Sequence, residues 1–357
     1  MTTSNLREQV MAVRYTTAWS EGNHIAAVRL GGPQAFEALD ALCPADLFLR
    51  DGQVLHSLLL RPDATPLADL YVGRDDEEYI LLADGMSAAQ LFDHAARALP
   101  PTLTYELQDC AQSHMHVLLH GPYAWELLER LTTPDVIGLP YLNFFHLDDG
   151  LCFRTGQTGE YGYQLLVTRE RADDFMRRLR EIGPEFDLHQ VGPDALAQCA
   201  LENSFFNIRM PGVQTLTPIE LQLQWRVSYH KEYVGSAALR THREKGISSR
   251  VTCVLAPVAL HAGDDVVCGA DAAGQILAAG YSDVRGDWVG TALLRTEYAH
   301  SGLTGLQAVG PAGTVPLRTV SPPVLDNRSL HVNPQRHRFV DRADDVFPDL
   351  ALPLPKT

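Results

Sequence analysis

The sequence predicts an α+β protein that ends in a small β-barrel. Three observations carry this expectation. Up to about Lys245, short apolar strand patterns alternate with amphipathic helix patterns. The order strand, Gly-Pro, helix occurs twice, at Gly32-Pro33 and at Gly121-Pro122, and reads as a pseudo-repeat of one α+β unit. Beyond Lys245 short β-rich segments separated by glycine turns take over, the spacing expected of a barrel or sandwich.

In the first unit, His24–Leu30 reads as a strand broken by Gly31-Gly32-Pro33, and Ala35–Leu42 as a helix carried by Phe36, Leu39 and Leu42. Strands follow at Val54–Leu60, Leu70–Val72 and Glu78–Ala83. A helix over Ala88–Leu99 puts Leu91, Phe92, Ala95 and Leu99 on one face. The second unit has a strand at Met115–His120, a helix at Ala124–Leu131, strands at Leu151–Arg154 and Tyr163–Val167, and helices at Arg171–Ile182 and about Asp194–Phe205. Six strand segments, Arg250–Leu255, Asp265–Cys268, Gln275–Ala279, Trp288–Arg295, Gly305–Ala308 and Val315–Thr319, form the third. From Ser321 the chain is Pro-rich and is expected to be extended or disordered. The expected divisions are 1–245, 246–320 and 321–357.

The 357 residues suffice for several domains and a sizeable core. A formal net charge of -15 argues against a nucleic-acid or anionic-membrane partner, because that field repels both. No signal pattern and no membrane-length apolar run is present, so a cytoplasmic protein is expected. The six scattered cysteines form no C-x-x-C pair and read as buried thiols. His114, His116 and His120 share one strand face, but no acidic or thiol residue accompanies them, and no metal site is expected.

The most specific string is Arg154-Thr155-Gly156-Gln157-Thr158-Gly159-Glu160-Tyr161-Gly162-Tyr163, followed by the apolar run Gln164–Val167. Alone it reads as a glycine-rich hairpin entering a buried strand. It resembles the R-T-G-Y-T-G-E-D-G signature of the glycine-cleavage T-protein (aminomethyltransferase) and tetrahydrofolate-dependent methyltransferase-demethylase superfamily. Leu119-His120-Gly121-Pro122 resembles the family's L-Q-G-P with His for Gln. Leu216-Thr217-Pro218-Ile219-Glu220, Leu223-Gln224-Trp225 and Tyr233-Val234-Gly235 through Leu239 resemble its T-P-x-E, L-x-W and F-[IV]-G-x-x-A-L, in the same order.

The resemblance implies a three-domain cloverleaf around a central channel that holds tetrahydrofolate. It implies that Glu202 accepts paired hydrogen bonds from the pterin, although on the residues alone Glu202 reads as a surface or capping residue. Lys231 lies near a family arginine and keeps its charge without the planar fork; Arg226 is its neighbour, and Trp225 is expected as a channel wall. The family's catalytic Asp falls on Gln90, which cannot hold a proton at neutral pH. Asp84 is the expected substitute, with Tyr161 assisting proton movement, while Asp84-Gly85 also reads simply as a turn. Gln157 and Tyr161 replace the signature's Tyr and Asp. The family's F-A-G-W and D-x-S-H motifs are not found, which implies an altered substrate side.

The function so implied is a tetrahydrofolate-dependent methyl or other one-carbon transferase or demethylase. It would act on a small molecule and not on a lipoyl carrier protein. A non-catalytic folate-binding protein and a same-fold biosynthetic enzyme that no longer uses folate stay open as alternatives.

Overall fold

A computed structural model describes residues 5–353 other than 312. Its two α+β units are interleaved, and a closed barrel follows them. The first strand pairs only with strands much later in the sequence. Thr17–Glu21 lies between His114–His120 and Leu188–Gln190 in a six-stranded sheet that also holds Gly162–Thr168, Gly150–Phe153 and Phe144–Leu147. The chain then leaves to build a separate five-stranded antiparallel sheet from Val54–Leu60, Pro66–Asp75, Glu78–Asp84, Ile25–Gly31 and Glu106–Asp109 before returning.

The pseudo-repeat is real. Ile25–Gly31 leads to helix Ala35–Leu42, and His114–His120 leads to helix Ala124–Leu131. Gly32 and Gly121 both take positive φ, at 100° and 118°, as the sharp exit from each strand requires. A Cβ on Gly121 would lie 2.4 Å from the Thr16 carbonyl oxygen. Gly121→Ala is therefore expected to destabilise the fold by about 2 kcal/mol or more. Gly246→Ala, with positive φ but nothing within 4 Å, is expected to have the smaller effect in the same thermal-unfolding comparison.

One face of each sheet is covered by helices. Leu39, Leu42, Leu91 and Ala95 pack on Val28, Leu70 and Leu81 in one unit, and Trp125, Leu128, Phe175 and Leu179 on Leu119 and Leu165 in the other. Phe36 is a correction: it is half exposed, and Ala35 and Ala38 supply the buried face of its helix instead. The other faces meet through Tyr71, Ile80, Leu82, Phe153 and Leu166. Six antiparallel strands, from Ser249–Ala256 to Gly313–Val320, close the barrel.

The C-terminal segment corrects a second expectation. The segment within residues 321–353 packs back on the six-stranded unit, with Val332 and Phe339 in its core and Arg338 paired to Glu129 at 2.9 Å. Prolines set the extended path, and the interspersed apolar side chains find buried sites along it. Residues 354–357 lie outside the described part. Helix Leu6–Tyr15, capped reciprocally by Asn5 and Glu8, was not expected from the sequence.

Candidate functional site

A cavity of about 450 Å³ opens where the two sheets face each other, and helix Pro193–Glu202, the loop through Arg209 and the barrel residues Ala278, Ala279 and Thr291 complete its wall. That volume lies within the range of small-molecule and cofactor sites. Strand alternation decides which side chains reach it. Asp69 and Tyr71 come from one strand, and Leu82 and Asp84 from its neighbour. Asp69 stands directly opposite Asp84 in the register, and Tyr71 opposite Leu82. Leu118 and His120 face them from the second sheet, with Gln164 beside Leu118. Thr155 to Thr158 of the glycine-rich string form the rim between the sheets.

The two cavity aspartates each hold an arginine. Asp69 is buried, and its Oδ1 accepts hydrogen bonds from His56 Nε2 and Arg226 Nη1, both at 2.8 Å. Its Oδ2 accepts from Gln157 Nε2. Burial pushes the Asp69 carboxyl upward, but His56, Arg226 and the hydrogen bonds from His56 and Gln157 outweigh this and hold it below the ordinary range. His56 in turn stacks on Tyr71 at 4.0 Å. Asp84 is clasped by both terminal nitrogens of Arg209 and is more open, with its side chain 20% exposed. Arg209 is held over Asp84 by the irregular loop after helix Pro193–Glu202, whose Ile208 packs against Gly85.

Of the residues singled out from sequence, Asp84 lines this cavity, and Arg226 borders it through Asp69. Glu202, Tyr161, Lys231, Gln90 and Trp225 do not line it. Glu202 is fully buried beneath the wall, where its Oε2 accepts from Arg14 Nη2 at 2.7 Å and Nε at 3.1 Å. Tyr161 donates its hydroxyl to the Val332 carbonyl at 2.9 Å and its backbone N–H to Ser329 Oγ at 2.8 Å, and it packs against the core of the six-stranded unit, held there by the C-terminal segment. Lys231 pairs with Asp40 at 2.5 Å outside the cavity. Gln90 is the reciprocal capping partner of Ser87 at the start of helix Ala88–Ala98, a surface role. Trp225 is 66% exposed and covers the Arg226 guanidinium at 4.8 Å instead of forming a channel wall.

Sequence reading missed Asp69, Arg209 and Arg14. Asp69 had a signal: it is the lone charge in the apolar run Leu67–Val72, and a carboxylate in a buried strand needs partners. Arg209 and Arg14 had none, since their partners are 125 and 188 residues away. Among the described residues no cluster of His, Cys, Asp and Glu is arranged to hold a metal ion. His116 Nε2 donates to Gln164 Oε1 at 3.0 Å, and His114 is bonded to Ser113.

The family model for the GCVT N-terminal domain matches residues 2–231 of this chain. The chain belongs to the GCVT family. Curated relatives include the aminomethyltransferase of Thermotoga neapolitana, 26% identical over 247 residues and 68% of each chain. That of Thermotoga petrophila is 23% identical over 297 residues and 82% of each. The glycine cleavage system aminomethyltransferase T from Bartonella henselae superposes with a TM-score of 0.78 over 91% of this chain and 90% of its own, at 20% identity, which establishes the shared fold. Among the described residues no helix is long and apolar enough to cross a membrane.

Proposed function

We propose that this GCVT-family chain is a one-carbon transferase that uses tetrahydrofolate and moves a methyl or related group to or from a small molecule in the cavity. The observation that carries this reading is the pair of arginine-held aspartates on adjacent strands, both facing a cavity of ligand size between three parts of the fold. Tetrahydrofolate, when bound, supplies a ring nitrogen able to take or give the one-carbon unit. The chain's own residues offer what such a ligand needs. Leu82, Leu118 and Tyr71 present apolar and aromatic surface to a flat ring, and Asp69, Gln157 and Thr155 present polar groups at its edge. The fit does not run through Glu202, whose carboxylate is held by Arg14.

Catalysis in such a site comes from positioning and from fixed charge in a space shielded from water. Asp84 is the residue we assign to the reacting centre, where its carboxylate stabilises positive charge developing on a nitrogen. Arg209 orients it. Gln90 offers no such charge, and its surface position favours one alternative reading, a folate-binding protein without turnover.

Titration with (6S)-tetrahydrofolate by calorimetry, beside transfer assays on a panel of N-, O- and S-methyl small molecules, tests the reading. Binding with turnover supports it, and binding without turnover on any donor supports the alternative. Absence of binding overturns both. In an active preparation, Asp84→Asn is expected to lower turnover by about 100-fold or more while folate affinity changes far less.

A further inference from the structure

The charges around the cavity decide which ligands it holds. Among the described residues that line it, the charged side chains are Asp69, Asp84, Asp194 and Arg209. Asp69 is paired with Arg226, and Asp84 is clasped by both terminal nitrogens of Arg209. Asp194 is exposed and has no ion-pair partner among the described residues. Burial holds the two lining histidines, His24 and His120, below the ordinary range, His120 at about 4, so both are neutral at pH 7. Lys231, the cation that the family resemblance offers to the ligand, is paired with Asp40 outside the cavity. The unopposed charge in the wall is therefore negative, in a chain of net charge -15. The start of helix Pro193–Glu202 also lines the cavity, but it is no anion site. Pro193 has no N–H to offer, and Asp194 sits in the first turn, where it answers the positive end of the helix. Beyond that turn the wall is apolar, with Leu196, Ala200, Leu201, Phe205, Met210 and Ala278.

We propose that this cavity recognises a reduced pterin and the neutral arm beside it, and that Asp194 makes it select against an acidic tail, so that tetrahydrofolate with its tail carboxylates masked binds at least as tightly as tetrahydrofolate itself. The inference rests on the folate reading and narrows the ligand class within it. A tail carboxylate drawn into this space leaves water without gaining a counter-charge, because the lining guanidinium is already committed to Asp84. A carboxylate held at the start of the helix meets Asp194, a like charge. An uncharged arm pays neither cost and covers the apolar wall between Leu196 and Met210.

The test is calorimetric titration of the full chain with (6S)-tetrahydrofolate and with its tail dimethyl ester, at low and at high salt. The ester is expected to bind between equally and about threefold more tightly at low salt, and the difference should shrink as salt screens it. Asp194→Lys reverses the charge at the start of the helix and is expected to move the preference toward tetrahydrofolate by about fivefold at low salt, while affinity for the ester changes by less than about twofold. Asp194→Asn should give about half that shift, and it decides where circular dichroism shows the lysine variant unfolded. A cavity that held the tail carboxylates by charge-assisted hydrogen bonds would lose about 10- to 100-fold on esterification. An ester that binds about threefold or more weakly than tetrahydrofolate therefore overturns the proposal and leaves the folate reading standing. A preference that stays unchanged in both Asp194 variants overturns the role of Asp194. Unmodified protein that binds neither ligand removes the folate reading and this proposal with it.

Discussion

Arg14→Met is expected to lower stability by about 3–5 kcal/mol, the cost of leaving buried carboxylates without their counter-charge. Arg14 is fully buried and uses its whole guanidinium. Beyond the two bonds to Glu202, Nη1 donates to the Thr158 carbonyl at 2.5 Å and to Asn327 Oδ1 at 3.1 Å, and Nη2 to the Cys199 carbonyl at 3.1 Å. Glu160 Oε1 lies 3.5 Å from Nη1. Burial already raises the Glu160 carboxyl above the ordinary range, against the pull of Arg14 and the hydrogen bonds from Ser329 and Arg328. Without Arg14, two buried acids compete for no cation. The cluster joins the N-terminal helix, the glycine-rich string, helix Pro193–Glu202 and the C-terminal segment, so its loss should loosen all four. Urea unfolding of Arg14→Met beside Arg14→Lys measures this. Lysine keeps the charge but not the fork, and an intermediate loss is expected. Equal stability of Arg14→Met and the parent would show that the cluster adds nothing to the fold.

Acidification is expected to have an effect of similar size. Burial lowers His116 and His120 to about 4, from 6.5. The unfolded chain therefore binds protons at these sites between pH 6.5 and 4 that the folded chain refuses. Stability from this source is fully present above pH 6.5 and is lost as pH falls toward 4, by roughly 3 kcal/mol per histidine. His120 has no partner on either ring nitrogen among the described residues, and His116 none on Nδ1, so neither has a carboxylate to welcome a proton. Urea unfolding at pH 7.5, 6 and 5 should show the decline. His120→Gln, which installs the residue of the resembled L-Q-G-P motif, should flatten it by about half. A pH-independent midpoint across that window would refute the assignment.

Much of the fold was legible in the sequence because local patterns and tertiary demands agree there. The two Gly-Pro turns follow strands and precede helices whose apolar spacing matches their buried faces except at Phe36, and all six barrel strands fall on the expected segments. Strands Thr17–Glu21, Phe144–Leu147 and Leu188–Gln190 were not legible. Each is short: Thr17–Glu21 and Leu188–Gln190 take their order from distant partners, and Phe144–Leu147 from a hairpin with Gly150–Phe153, an order that their own residues do not specify. The Pro-rich segment after Ser321 misled for the same reason: composition describes the free chain, whereas Val332 and Phe339 are placed by a core built elsewhere.

The candidate site divides along the same line. By itself the sequence determined the family, the glycine-rich rim and the presence of Asp84, because these lie in contiguous strings whose spacing is set by the backbone. Only the tertiary structure decided which carboxylates face the cavity. Glu202 is turned to Arg14, Asp69 is turned inward and held by Arg226 and His56, and Asp84 meets Arg209. Each of those choices depends on a partner 13 to 188 residues away. Whether a buried charge serves the fold or the cavity depends on which opposite charge the folded chain brings to it.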